Sequence, residues 1–149
     1  MVFLSLGMAA TAAFAALPPD FSKEFDRLFL STEPMRYQDN GHFLALIEPS
    51  LLSEQERDLV REKLKAFLTA SVLPGYSREY APDSIHTGVA SEMAFLRLDA
   101  IDLLAKVGRN TDISFLEELV NKAAEPGAPR EHPLFKKRCE EAIKTIIFQ

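Results

Sequence analysis

The stretch Met93-Ala94-Phe95-Leu96-Arg97-Leu98-Asp99-Ala100-Ile101-Asp102-Leu103-Leu104-Ala105-Lys106-Val107-Gly108 decides the fold. Turned at about 100° per residue, it places Met93, Leu96, Ala100, Leu103, Leu104 and Val107 on one stripe. Ala94, Leu98, Ile101 and Ala105 form a second stripe beside it. Asp99, Asp102 and Lys106 share the narrow strip that remains. A helix apolar over most of its circumference packs on two sides, so this one is expected at the centre of the molecule. Gly108 stops it as a C′ residue would.

Working outward, the helix is predicted to begin near Asp83, with an interruption near Gly88 and Ser91 as a second N-cap candidate. After Gly108, Thr111 is expected to cap a helix running to about Ala124. Glu125-Pro126-Gly127-Ala128-Pro129 reads as a rigid loop, and Pro133 starts a last helix over Leu134 to Phe148. Upstream, Ser53-x-x-Glu56 is a capping box. The helix it opens carries Val60, Leu64, Phe67 and Leu68 as its buried stripe and ends at Leu73-Pro74-Gly75. Tyr76 to Pro82 is a connector. Phe21, Phe25, Leu28 and Phe29 share one face of a short helix over Asp20 to Leu30. Ser31 to Gly41 is rich in turn formers and reads as a loop. Phe43 to Ile47 is a short apolar segment stopped by Pro49. No stretch alternates apolar and polar residues for long, so the chain is predicted to be all-α with five or six helices.

Composition agrees with one globular domain. The chain has 149 residues, 26% charged and 47% hydrophobic. Lys and Arg number 17 against 22 Asp and Glu, a net charge of −5, which argues against nucleic acid as a partner. The single cysteine excludes an intramolecular disulfide and the Cys-rich zinc sites.

No charged side chain occurs before Asp20. Val2 to Leu6 is mostly large and apolar, Gly7 to Ala16 mostly small, and Ala13-Phe14-Ala15 fits the small-x-small pattern before a signal-peptidase cut. Residues 1–15 are therefore expected to be a signal peptide, cut near Ala15-Ala16, with a periplasmic or secreted mature protein. No Lys or Arg follows Met1 to supply the usual basic start. The alternatives are a core helix in a cytoplasmic protein, or a membrane anchor. A span needs ~20 apolar residues, and Pro18-Pro19 closes this stretch early, so no stable membrane span is expected. Residues 16–52 then form a helical lead and loop, one domain with residues 53–149. At the other end, Ile146-Ile147-Phe148 either packs back on the domain or meets a partner; packing back is the expectation.

Three helices align when their apolar pairs are superposed. They read Leu59-Val60-Arg61 with Leu64 and Phe67-Leu68, Phe95-Leu96-Arg97 with Ala100 and Leu103-Leu104, and Leu134-Phe135-Lys136 with Cys139 and Ala142-Ile143. The offsets are 36 and 39 residues. Any amphipathic helix supplies most of such a match; the aligned basic residue and the near-constant offset add to it. The run from Leu96-Arg97 through Ala100, Leu103-Leu104 and Gly108 to Asp112-Ile113, Leu116 and Leu119 resembles the HEAT-like family of helical repeats. That resemblance covers Ser53 to Ile146 and is best from Met93 to Val120. It implies a right-handed α-α superhelix-like stack of about three helical hairpins. It also implies that Arg61, Arg97 and Lys136 are structural positions, Arg97 pairing with an Asp of a neighbouring repeat. Glu125-Pro126 stands where the family often has Asp-Pro, but residues 127–132 lengthen the loop. Such units bury their apolar faces only by stacking.

Signs of chemistry are few. His42, His86 and His132 never share a helix at i, i+4, so zinc would have to gather them from separate connectors. No nucleophile-elbow, HExxH, Walker or GxGxxG pattern occurs. No catalytic residue, cofactor or metal is expected. Cys139 falls on a buried stripe as an inert thiol. Glu117-Glu118 and Glu140-Glu141 read as solvated faces. Tyr76, Arg78 and Tyr80 in the connector are the leading partner-binding candidates, since Tyr and Arg are enriched at interface hot spots. Arg36 and Tyr37 form a similar pair. The competing reading has one Tyr capping the helical stack. The leading expectation is an exported, non-enzymatic, HEAT-like module that binds another protein. Eleven Phe and the Phe43–Ile47 segment support a second reading, a helical envelope protein holding an apolar small molecule or lipid. A third is a helical enzyme with scattered His, Glu and Asp.

Overall fold

The computed structural model describes residues 16–31, 37–70, 88–128 and 131–149. Among these, every regular element is helical. The chain opens with α1, Phe21–Phe25, which runs on as a π-helical turn over Asp26–Leu30. Phe21, Phe25 and Phe29 are buried along it and meet Phe43 and Phe67 in an aromatic cluster. Phe29 sits edge-on to Phe67 with centroids 5.2 Å apart.

Helix α2 spans Tyr37–Ala45, so it takes in half of the expected loop. Asn40 is the reason. Its side chain is buried and donates from Nδ2 to the Leu28 carbonyl at 2.7 Å. A residue type that favours turns in a free chain is here held inside a helix because a neighbouring helix end needs its hydrogen bond.

A short 3-10 turn, Pro49–Leu51, leads to α3, Glu54–Thr69. The capping box forms: the Glu56 N–H donates to Ser53 Oγ at 3.2 Å, and the Ser53 N–H donates to Glu56 Oε2 at 2.9 Å. Val60, Leu64, Phe67 and Leu68 are buried, as their spacing predicts. The helix ends four residues before Leu73. Thr69 Oγ1 bonds back to the carbonyls of Lys65 and Ala66, and Ala70 turns extended.

Helix α4, Gly88–Val107, is the centre of the molecule. It packs against α6, α3 and α2. Both of its apolar stripes are buried. Ser91 lies inside this helix, three residues past its start. A 3-10 turn, Asn110–Asp112, follows, then α5, Ile113–Ala123, and α6, Phe135–Ile147, which pack on each other. Asp112, not Thr111, closes the turn before α5: its Oδ2 accepts the Arg109 N–H at 2.8 Å. Pro133 precedes α6 by two residues, because the His132 carbonyl takes the Phe135 N–H at 2.8 Å in the intervening turn.

Gly108 ends α4 for a different reason from a left-handed cap. Among the described residues the only positive φ belongs to Gly127. A Cβ on Gly108 would lie 2.6 Å from the Leu104 carbonyl oxygen and 2.8 Å from Ile146 Cδ1. The glycine lets α6 come against the end of α4. Gly108→Ala is expected to lower stability by ~1–3 kcal/mol through overpacking. Urea unfolding checks this, and an unchanged midpoint would mean that α6 shifts aside freely.

The apolar carboxyl end divides. Ile146 is buried against Gly108, whereas Ile147 is half exposed and Phe148 is 85% exposed. Gln149 Nε2 donates to the Ala105 carbonyl at 2.7 Å, tying the last residue to α4.

Candidate functional site

The polar strip of α4 is the starting point. Asp99, Asp102 and Lys106 form the floor of an open groove of about 600 Å³, and Leu44, Ile47 and Glu48 form its wall. The groove forms where α2 and the 49–51 turn pack on α4 beside this strip, which no helix among the described residues covers. Asp102 is paired with Arg138 of α6. Asp99 has no such ion pair among the described residues, and partial burial, together with the nearby Asp102 charge, pushes its carboxyl up against the pull of Arg138. The floor is thus rich in carboxylate, with Lys106 as its cation. Leu46 and Leu51 stand exposed on the segment that forms the wall.

A second cleft, about 610 Å³, lies between the end of α5 and the start of α6, with Val120, Ala124, His132 and Phe135 in its lining. The His132 ring lies tilted against Phe95, with centroids 5.0 Å apart, and its Nδ1 accepts the Leu134 N–H at 3.0 Å. It is built into the start of α6. His42 is exposed on α2, and His86 lies outside the described residues. Among the described residues, no three His, Cys, Asp or Glu side chains are grouped to hold a metal ion.

The three aligned basic residues have different surroundings. Arg61 Nε reaches Asp112 Oδ2 at 2.7 Å, and its two terminal nitrogens reach Asp58 and Thr111. Lys65 adds a bond to Asp112 Oδ1 at 3.0 Å. Arg97 is buried and forks onto Glu131, with Nε at 2.9 and 3.0 Å from the two carboxylate oxygens. Its other nitrogens donate to the carbonyls of Phe67 and Leu68 at the end of α3, at 3.4 and 3.1 Å. The guanidinium also lies 5.6 Å from the Phe135 ring centre. Its carboxylate partner is a glutamate from the long loop, while the aspartate goes to Arg61. Lys136 is mostly exposed, 3.9 Å from Glu140. Arg61 and Arg97 each reach an acid that follows the next described helix.

Tyr76, Arg78, Tyr80 and Arg36 lie outside the described residues. Tyr37 opens α2. Cys139 is fully buried, and its thiol is pushed up to about 12 by burial first and by the Glu131 charge next, Arg97 opposing. A thiol so held is a poor nucleophile.

Asp112 stands in the run that carries the repeat resemblance, but its pairing with Arg61, 51 residues away, has no local signal. Glu131 and Asn40 carried no local signal, because their partners lie 34 and 12 residues away.

A scan against protein-family models found no match, nor did searches of curated proteins and of solved structures. The functional reading therefore rests on this chain's own residues. No helix among the described residues is long and apolar enough to cross a membrane.

Proposed function

We propose that this chain is an exported, HEAT-like helical module that binds another protein and does no chemistry of its own. The observation that carries the reading is the groove on α4. A helix buried along both apolar stripes keeps a third strip on a groove, floored with Asp99 and Asp102, and the segment that walls the groove also carries the exposed Leu46 and Leu51. That combination suits an amphipathic segment of a partner that carries a cation, with leucines for its apolar face and the Asp99 carboxylate for its charge. The stacked-repeat reading draws support from the ion pairs. Among the described helices, Arg61 and Arg97 both skip one to reach an acid, a recurrence that a repeated unit would produce. An apolar ligand would want an enclosed apolar cavity, and the groove is open and charged.

Capture from the native host with tagged full-length protein tests the reading. Wild type is expected to recover a protein partner in stoichiometric amount, and a Leu46→Asp/Leu51→Asp variant to lose it at unchanged melting temperature. Loss instead on Tyr76→Ala/Arg78→Ala would move the site to the connector. A co-purifying small molecule with no protein would overturn the proposal in favour of a lipid-like ligand.

A further inference from the structure

We infer that Ala16 is the amino terminus of the mature protein and that Glu56 is the carboxylate built to receive its ammonium group. The inference rests on the export reading and extends it to a processing site and its receptor.

The backbone nitrogens of Ala16 and Leu17 both lie 3.1 Å from Glu56 Oε1. Glu56 Oε2 is already used, accepting the Ser53 N–H in the capping box. A capping box needs one oxygen from its glutamate. Here the second oxygen is directed at the start of the chain, 39 and 40 residues away in sequence. The chain is fixed there by the residues that follow Ala16. Leu17 packs on the hydrophobic core, and the Pro18 carbonyl accepts the Phe21 N–H at 3.0 Å. These anchors set the Ala16 nitrogen beside the carboxylate whether or not a residue precedes it.

Ala13-Phe14-Ala15 supplies the small residues that a membrane-bound leader peptidase accepts before its cut. In the step proposed, water adds across the bond between the Ala15 carbonyl carbon and the Ala16 nitrogen. Ala15 leaves as the carboxylate of the 1–15 peptide. The Ala16 nitrogen keeps the bonding electron pair and takes a proton to become an ammonium group. An amide N–H that already donates to a carboxylate is then replaced by an ammonium group, so the contact gains a second formal charge and becomes an ion pair.

The surroundings suit a cation. A helix start ordinarily repels one, but Glu54 and Glu56 occupy the first turn of α3, Glu54 in an ion pair with Arg109, and Asp20 stands at the N-cap position of α1 with no side-chain cap bond. Arg57 on the same turn is directed away, to the carbonyls of Pro49 and Lys106. The Glu56 carboxyl is held below its ordinary range, by the Ser53 N–H above all and against burial, with the Leu17 and Ala16 amides adding to the effect.

The test treats the full-length chain with leader peptidase in phospholipid vesicles and weighs the product. The expected product begins at Ala16. Its α-amine is then acetylated selectively at mildly acidic pH, where lysines stay protonated; the acetyl group restores a neutral amide at Ala16. Acetylation is expected to lower the melting temperature of the processed wild type by ~2–4 °C. It should leave Glu56→Gln unchanged, since glutamine keeps the capping box. Should Glu56→Gln fail to fold, the wild-type comparison alone decides. An uncut chain, or one cut elsewhere, overturns the inference together with the leader reading behind it. A chain cut at Ala16 whose melting ignores acetylation overturns the role of Glu56 and leaves export standing.

Discussion

Replacing Asp112 by Ala is expected to lower the unfolding free energy by ~3–5 kcal/mol, the range for removing one member of a buried ion pair. The side chain is fully buried, and its two oxygens serve Arg61, Lys65 and the Arg109 N–H. Its loss leaves the Arg61 guanidinium, itself mostly buried, facing an apolar gap. It also unties α3 from the turn that starts α5. Urea denaturation at neutral pH measures the effect; a loss near that of an exposed pair, under ~1 kcal/mol, would mean that Arg61 and Lys65 find water instead.

The same carboxylate gives the fold an acid limit. Burial raises its pKa, but Arg61, the Arg109 N–H and Lys65 together outweigh burial and bring it to about 2, against an ordinary 3.8. A folded-state pKa below the unfolded value means stability gained above the unfolded pKa and lost as pH falls. The contribution is therefore complete above about pH 4 and disappears toward pH 2; it amounts to about 2 kcal/mol. The stability gap between wild type and Asp112→Asn should narrow across that window. A gap that stays constant down to pH 2.5 would count against the assignment.

Arg97→Ala is expected to cost a similar ~3–5 kcal/mol, for a different reason. Arg97 joins three parts of the chain: α4, on which it sits, the end of α3 through the Phe67 and Leu68 carbonyls, and Glu131 in the loop before α6. Truncation strands a half-buried carboxylate and two helix-end carbonyls. Lysine is no substitute, because a single ammonium cannot fork onto a carboxylate and two carbonyls at once, and Arg97→Lys should still lose ~1–3 kcal/mol. Arg97→Met/Glu131→Gln removes both charges and should cost less than the sum of the single changes, by ~0.5–3 kcal/mol in a double-mutant cycle. Additive losses would mean that the two side chains do not depend on one another.

These two residues also mark what a sequence can reveal. Helices with strong local signals were legible. Ser53 and Glu56 announce α3 three residues apart, and the double stripe of α4 announces both its helicity and its central place. Elements decided by distant partners were not. Gln38-Asp39-Asn40-Gly41 reads as a turn until Asn40 is found holding the Leu28 carbonyl. Gly108 reads as a left-handed cap until Ile146 is found against it. The strip of Asp99, Asp102 and Lys106 was visible as the uncovered face of α4. That α2 and the 49–51 turn would wall it into a groove was not, because the wall comes from segments some fifty residues upstream whose course depends on packing. The pairing of Arg97 was foreseen with an aspartate, and the inserted loop supplied Glu131 in its place.

The position of α4 bears on how the molecule comes apart. In a linear array of helical units each touches only its neighbours, so the ends open first and the middle follows by degrees. Here α2, α3 and α6 all rest on one helix, while α5 leans chiefly on α6. Undocking α6 would bare one side of α4 and leave α5 without support, so partial opening gains little freedom for the surface it exposes. Backbone amides along α4 should therefore exchange with solvent together, at the rate set by global unfolding, and not in a gradient from one end. The described helices would then open as a single cooperative unit.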